Sequence, residues 1–85
     1  MTYEVKLHPN AVRFLQKLPK EISERIKDKL REVVRTDPFL FLEHYAGEDV
    51  YKLRIGQYRA LIDVDFRNKI LYVQVIDHRS RIYKR

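Results

Sequence analysis

Residues 50–76 contain three consecutive segments typical of β-strands, of which the first two alternate apolar and polar side chains, and this pattern constrains the fold more than any other feature of the chain. The segments span residues 50–55, 58–64 and 70–76. Alternation with a period of two predicts half-buried β-strands. Gly56-Gln57, between the first two segments, has the length and the leading glycine of a type II′ hairpin turn. The last segment is apolar on both faces, so we predict that it lies at the centre of the sheet.

The first half of the chain predicts one strand followed by two helices. Residues 3–7 alternate in the manner of a half-buried strand. Asn10 is the candidate N-cap of a short helix over residues 10–18. Apolar residues at helical spacing then predict a longer helix over residues 19–35. We predict that residues 39–49, which include an apolar cluster, form a loop.

The predicted order of elements is β-α-α-β-β-β in a single domain over residues 1–85. This is an α+β fold with a helical hairpin packed on one face of a small curved, mainly antiparallel sheet. The chain has no cysteine, so neither disulfides nor a thiolate zinc site support the fold. No apolar run approaches the length of a membrane span, and the start has no apolar signal region. We therefore expect a cytoplasmic protein with no membrane partner.

The second half of the chain carries the whole charge excess. Residues 1–49 hold nine Lys or Arg against nine Asp or Glu, whereas residues 50–85 hold nine against three. This difference accounts for the net charge of +6. A small fold that concentrates cations on one sheet attracts phosphates. Nucleic acid is therefore the first candidate partner.

Strand alternation predicts that three of these cations share the face of the sheet opposite the helices. Lys52 and Arg54 alternate with apolar residues that point towards the helices, and Arg59 joins them across the hairpin. Like charges placed in this way repel each other, and a bound polyanion would relieve that repulsion. A solvated sheet face explains the same pattern, since Lys and Arg are normally exposed.

The C-terminal segment adds further cations near the same sheet. It reads His78-Arg79-Ser80-Arg81-Ile82-Tyr83-Lys84-Arg85. The Arg79 guanidinium can hold a phosphate with two hydrogen bonds, and the Tyr83 ring can stack on a base. The competing interpretations are that Tyr83 is a packing residue that anchors the C-terminus, and that residues 84–85 form a solvated end.

Other kinds of site have little support in the sequence. The histidines lie on different elements without a carboxylate at ligand spacing, so we predict no metal site and expect no cofactor. The two glycines, Gly47 and Gly56, do not form a phosphate-binding loop. No serine or threonine pairs with a base in a way that indicates nucleophilic catalysis. The acidic residues of the predicted loop are interpreted as solubilising groups: Glu43, Glu48 and Asp49.

The helix pair KLPKEISERIKDKL is followed by the hairpin VYKLRIGQYRALIDVD. With these segments the chain resembles, over essentially its whole length, the RelE/ParE toxin superfamily, whose hairpin reads Tyr-(Lys/Arg)-Leu-(Arg/Lys)-x-Gly-x-Tyr-Arg. The ending VIDHRSRIYKR is similar to the RelE ending Gly-His-Arg-x-x-x-Tyr. ParE-type and nuclease-type members share the hairpin, whereas the His-Arg…Tyr ending favours the RelE branch.

This resemblance implies a metal-independent, ribosome-dependent endoribonuclease that cleaves mRNA in the decoding A site and is blocked by a RelB-like antitoxin. The implied reaction is attack of the RNA 2′-hydroxyl on the adjacent phosphate, with Lys52 activating that hydroxyl. The guanidinium groups would stabilise the phosphorane, and Tyr83 would stack on a base or help to protonate the leaving oxygen. The implied catalytic residues are Lys52, Arg59, Arg79 and Tyr83, and the implied RNA-binding residues are Arg54, His78 and Arg81.

Two positions depart from the family pattern. Arg54 stands where some relatives have a second Lys, and because Arg stays protonated it cannot act as a base. Asp77 stands where the family often has Gly, and its carboxylate can pair with Arg79 or Arg81. Two alternatives to the nuclease remain open: a ParE-like inhibitor of DNA gyrase that cleaves nothing, and a nucleic-acid-binding module without catalysis.

Overall fold

A computed structural model describes residues 2–84 of the chain. The elements in chain order are β1 (Glu4–Leu7), α1 (Pro9–Lys17), α2 (Lys20–Arg35), β2 (Leu42–Ala46), β3 (Val50–Ile55), β4 (Tyr58–Asp65) and β5 (Ile70–His78). Short 3₁₀ helices lie at Pro38–Leu40 and Ile82–Lys84. The predicted α+β fold, with two helices packed on one face of a mainly antiparallel sheet, is confirmed.

The segment predicted as a loop over residues 39–49 contains β2, so that prediction is wrong. β2 forms one edge of the sheet and pairs antiparallel with β3, with Leu42 opposite Leu53 and Glu43 opposite Lys52. Of its five residues only Leu42 is buried. One buried residue followed by exposed ones has no period of two, and the sequence pattern therefore gave no strand signal here.

The five strands lie in the order β1-β5-β4-β3-β2. β1 pairs parallel with β5, and all the other neighbouring strands pair antiparallel. β5 was predicted to lie at the centre of the sheet. It is an interior strand that pairs with β1 along one edge and with β4 along the other, and this position agrees with its apolar side chains on both faces. The middle position belongs to β4, because the unpredicted β2 adds a strand beyond β3.

The hydrophobic core lies between the helices and one face of the sheet. Burial of its apolar side chains removes most of their surface from water, which is the main favourable contribution to folding. The opposite face of the sheet carries neither α1 nor α2, and the C-terminal 3₁₀ helix approaches it, so part of this face is open to ligands. Core residues include Ala11 and Leu15 of α1, Ile26, Leu30 and Val33 of α2, and Leu53, Ile55, Ala60, Ile62, Leu71 and Val73 of the sheet.

α1 begins one residue earlier than predicted, and its capping residue is His8 rather than Asn10. His8 Nδ1 accepts a hydrogen bond from the backbone N–H of Asn10 at 3.0 Å. This bond satisfies one of the N–H groups that the first turn of a helix leaves without a partner. Pro9 occupies the first helical position, where its missing N–H costs nothing.

Two turns fix the register of the central strands. Gly56 has φ of +59°, which suits the leading position of a type II′ turn and favours glycine. In the β4–β5 turn, Asp65 accepts hydrogen bonds from the backbone N–H and the side-chain amide of Asn68, both at 2.9 Å. These bonds favour the ionised carboxylate and lower the pKa of Asp65.

Candidate functional site

The face of the sheet opposite α1 and α2, which we call the cationic face, brings together the three cations that strand alternation assigned to it. Arg54 lies directly opposite Arg59 in the β3–β4 register, and Lys52 lies two residues away on β3. Their neighbours Leu53 and Ala60 are buried on the helix side. Three positive groups on adjacent strands form a surface that can bind phosphates.

A carboxylate that the sequence did not assign to the site lies among these cations. Glu43 Oε2 is 3.6 Å from Lys52 Nζ, and Glu43 Oε1 is 3.8 Å from Arg54 Nε. The interpretation of Glu43 as a solubilising loop residue is wrong, because β2 places it opposite Lys52. Its charge offsets part of the repulsion between the cations.

Arg59 has a structural contact as well as a place on the cationic face. Its side chain is half-buried, and Nη1 donates to the carbonyl oxygens of Gly56 at 2.8 Å and Tyr58 at 2.7 Å. The guanidinium therefore supports the β3–β4 turn. A guanidinium carries five N–H donors, so these two bonds to the backbone do not exhaust its capacity to bind a phosphate.

Arg79 is held at the same turn by its backbone. Its N–H donates to the carbonyl oxygen of Gln57 at 2.8 Å, directly after β5 ends. Its side chain is exposed. The Gly56-Gln57 turn thus contacts both Arg59 and Arg79, which brings these two predicted catalytic residues to one end of the sheet.

Asp77 pairs with Arg81, one of the two arginines that the sequence offered as its partner. The carboxylate is only 4% exposed. Asp77 Oδ1 accepts hydrogen bonds from the backbone N–H of His78 at 2.7 Å and from Arg81 Nε at 3.1 Å. Buried carboxylates require such partners, and Arg81 therefore helps to fix the start of the C-terminal segment.

His78 lies apart from the cationic face. It pairs with Tyr58 in the β4–β5 register, and the two rings meet edge to face with their centroids 5.7 Å apart. Tyr58 in turn contacts the ring of Phe14 in α1, so both rings lie on the helix side. The His78 ring nitrogens contact Ser80 Oγ at 2.8 Å and Gln57 Oε1 at 3.2 Å. The structure does not bring His78 together with Lys52.

Tyr83 reaches the cationic face from the C-terminal 3₁₀ helix. Its ring is 43% exposed, and Lys52 Nζ lies 5.7 Å from the ring centroid. The buried anchor of this segment is Ile82, which is 1% exposed. Tyr83 also stacks on Tyr45 of β2, with ring centroids 5.5 Å apart and ring planes at 23°. Sequence reasoning missed Tyr45 for the same reason that it missed Glu43.

Three further predictions concern membrane spans, metal sites and the end of the chain. Within residues 2–84, no helix is long and apolar enough to cross a membrane. In the same part of the chain, no three His, Cys, Asp or Glu side chains are grouped in a way that could hold a metal ion. The solvated end predicted for residues 84–85 lies outside the described residues, except for the backbone of residue 84.

Comparison with known proteins identifies the family. Residues 5–83 match the family described as "ParE toxin of type II toxin-antitoxin system, parDE". A protein of Methanocaldococcus jannaschii described as a RelE1 toxin is 28% identical over an alignment 89 residues long. The alignment covers 99% of this chain and 98% of the relative.

Two solved structures share the fold over nearly their whole length. A chain of the toxin-antitoxin complex RelBE2 from Mycobacterium tuberculosis has a TM-score of 0.81 and 25% identity, covering 92% of this chain and 99% of that chain. A chain of the archaeal RelE-RelB complex from Pyrococcus horikoshii OT3 has a TM-score of 0.75 and 31% identity, covering 95% of this chain and 99% of that chain. The chain therefore belongs to the ParE toxin family of type II toxin-antitoxin systems, as a RelE-type toxin of the RelE/ParE superfamily.

Proposed function

We propose that this toxin is a ribosome-dependent mRNA endoribonuclease that inhibits translation by cleaving mRNA in the decoding A site. The proposal rests on the cationic face, where Lys52, Arg54 and Arg59 lie beside the exposed Tyr83. Cations bind the phosphates of an RNA strand, and an exposed aromatic ring stacks on an unpaired base. Because its substrate is translated mRNA, we place the protein in the cytoplasm.

The proposed reaction uses the RNA itself as the nucleophile. The 2′-oxygen forms a bond to the adjacent phosphorus while the bond from phosphorus to the 5′-oxygen breaks, which leaves a 2′,3′-cyclic phosphate and a 5′-hydroxyl. Arg59 and Arg79, which both contact the Gly56-Gln57 turn, would stabilise the charge of the phosphorane. In its neutral amine form Lys52 is the proposed acceptor of the 2′-hydroxyl proton, and the Tyr83 hydroxyl can donate a proton to the leaving oxygen.

The ribosome is proposed to supply the geometry of the substrate. Attack by the 2′-oxygen requires that this oxygen, the phosphorus and the leaving oxygen lie in line. Exposed cations on a sheet surface can bind an RNA strand without bending it into that arrangement. An mRNA that the ribosome already holds in a bent conformation would need only the stabilising groups of the toxin.

We propose a RelB-like antitoxin as the second partner. Two of the similar structures are toxin-antitoxin complexes. A small, acidic and partly disordered chain could cover the cationic face and use the exposed Leu40 and Tyr45 as apolar contacts. Co-expression with the product of a neighbouring short acidic reading frame should give one complex on a sizing column. Failure to form a complex would remove this assignment.

A ParE-like inhibitor of DNA gyrase is the second candidate function, because the matching family description names ParE. The two functions are separated by adding the purified toxin to programmed ribosomes and, in parallel, to a gyrase supercoiling reaction. We expect cleaved mRNA and unchanged supercoiling. Inhibited supercoiling with intact mRNA would favour the gyrase inhibitor, and RNA binding with neither activity would favour a non-catalytic module.

A further inference from the structure

Two exposed tyrosines from distant parts of the chain stack on each other at the border of the cationic face. Tyr45 lies on β2 and Tyr83 in the C-terminal 3₁₀ helix, yet their planes are only 23° from parallel and their centroids are 5.5 Å apart. The two residues remain 42% and 43% exposed. Aromatic rings contribute most to stability when they are buried, so this pair leaves ring surface in water that a ligand could cover.

The other exposed stacked pair of the described chain has a different environment. Phe66 is 43% exposed and stacks on Phe39, with centroids 5.6 Å apart. Phe39 also contacts the ring of Tyr51 and packs against the hydrophobic core. The Phe66 pair therefore extends the core on the helix side of the sheet. Its exposure has a structural explanation, which makes Phe66 a suitable control.

The neighbour of the tyrosine pair is a cation rather than the core. Lys52 Nζ lies 5.7 Å from the Tyr83 ring centroid, so Tyr83 already has Tyr45 and an ammonium group as neighbours. Within residues 2–84, the one aromatic contact of Tyr45 is the ring of Tyr83. Tyr45 therefore offers its remaining ring surface to solvent, with its plane already aligned to a second ring.

A stacked ring pair beside phosphate-binding cations matches the chemistry of a nucleotide in a single strand. The flat base stacks on an aromatic ring, and the adjacent phosphate binds a cation. We infer that Tyr45 is a base-stacking residue: an unpaired RNA base stacks on its ring, Tyr83 supports that ring from behind, and Lys52 contacts the neighbouring phosphate. This inference rests on the proposed function, since it assigns a base-binding position to the same RNA site.

Stacking on Tyr45 should also favour some bases over others. A purine has two fused rings and covers more of the tyrosine ring than a pyrimidine does, so it stacks more strongly. Stacking strength, rather than hydrogen bonding to base edges, would therefore set the preference at this position. We expect a short oligoadenylate to bind more tightly than an oligouridylate of the same length.

The test uses a fluorescent reporter at position 45. The chain has no tryptophan, so Tyr45→Trp introduces a single one and keeps an aromatic ring. A base that stacks on this ring should quench its fluorescence. We expect saturable quenching by a short oligoadenylate and little quenching by an abasic oligonucleotide with the same number of phosphates. Equal quenching by the abasic strand would overturn the inference, because phosphate contacts alone would then explain the binding.

Affinity measurements on matched variants complete the test. Tyr45→Ala should weaken oligoadenylate binding about 5-fold or more, the lower range for loss of one base stack. Tyr45→Phe, which keeps the ring, and Phe66→Ala, which removes an equally exposed ring elsewhere, should bind like the wild-type protein. Wild-type affinity in Tyr45→Ala would overturn the inference. So would a loss of antitoxin binding with RNA binding unchanged, since the ring pair would then contact a protein.

The proposed cleavage can fail separately from this inference. Base-dependent quenching without cleavage on programmed ribosomes would support the stacking role of Tyr45 and count against the nuclease. Cleavage by the wild-type protein without base-dependent binding would support the nuclease and overturn the stacking role. The binding assay contains no ribosome and the cleavage assay contains no reporter, so neither result depends on the other.

Discussion

Glu43 Oε2 lies 3.6 Å from Lys52 Nζ, so the carboxylate of one edge strand is paired with the proposed base of the neighbouring strand. The same carboxylate approaches Arg54 Nε at 3.8 Å. A phosphate that binds between Lys52 and Arg54 must therefore compete with Glu43. This relationship makes Glu43 an internal competitor for the RNA-binding cations.

Glu43→Gln should strengthen the binding of single-stranded RNA. The substitution keeps the size of the side chain and removes the competing charge, and an exposed ion pair of this kind is worth up to about fivefold in affinity. The gain should shrink at high salt, because screening weakens interactions between exposed charges. Fluorescence polarisation with a labelled RNA at low and high ionic strength measures both effects.

Glu48→Gln is the matched control for this substitution. It makes the same change in net charge in the β2–β3 turn, and Glu48 is exposed. If both variants gain affinity equally, the effect comes from net charge alone and Glu43 has no special relation to Lys52. Unfolding in urea should differ from the wild-type protein by less than about 1 kcal/mol for either variant.

Arg79→Ala and Arg59→Ala should both slow cleavage, but only the second should destabilise the fold. Loss of a donor to the phosphorane is expected to slow cleavage by about 100-fold or more in each case. Arg79 has an exposed side chain, so its truncation should change stability by about 0.5 kcal/mol or less. Arg59→Ala removes two hydrogen bonds to the turn and should cost about 1–3 kcal/mol.

Single-turnover cleavage on programmed ribosomes and urea unfolding separate the two effects. Arg67→Ala, which removes an exposed arginine from the β4–β5 turn, is the control for loss of charge. A variant of Arg79 that unfolds early while it keeps its cleavage rate would mean that this arginine serves the fold rather than the reaction.

Asp77→Ala should lower the free energy of unfolding by about 1–3 kcal/mol. The substitution removes the buried carboxylate that accepts hydrogen bonds from the backbone N–H of His78 and from Arg81 Nε. Asp77→Asn, which keeps a side-chain oxygen as acceptor, should lose less. Denaturant unfolding gives the total cost, and amide hydrogen exchange at His78 should become faster. Unchanged stability in Asp77→Ala would show that the carboxylate does not hold the C-terminal segment.

The cationic face could be predicted from sequence because β3 and β4 bury alternate side chains on one face over most of their length. Burial of Leu53 and Ala60 forces a period of two on these strands, and this period assigns Lys52, Arg54 and Arg59 to the other face. The prediction of the fold class succeeded for the same reason. Strong alternation in long paired strands specifies both the sheet and the side that carries function.

The remaining parts of the site depend on packing that leaves no periodic signal. β2 buries only Leu42, so neither the strand nor the positions of Glu43 and Tyr45 could be read from the pattern. The face of the sheet on which the His78 side chain lies depends on where β5 ends. It also depends on the irregularity in the β4–β5 register between Leu61 and Ile62. One residue of difference moves a strand side chain to the opposite face.

In the proposed mechanism the RNA 2′-hydroxyl attacks the adjacent phosphate on the ribosome, and one substitution in the substrate tests this step. Ribosomes are programmed with an mRNA that carries either ribose or 2′-deoxyribose at the cleaved position. The ribose substrate should give fragments that end in a 2′,3′-cyclic phosphate, and the deoxy substrate should stay intact, because it lacks the nucleophile. Cleavage of the deoxy substrate would contradict the mechanism, and equally fast cleavage of the ribose RNA without ribosomes would contradict the role of the ribosome.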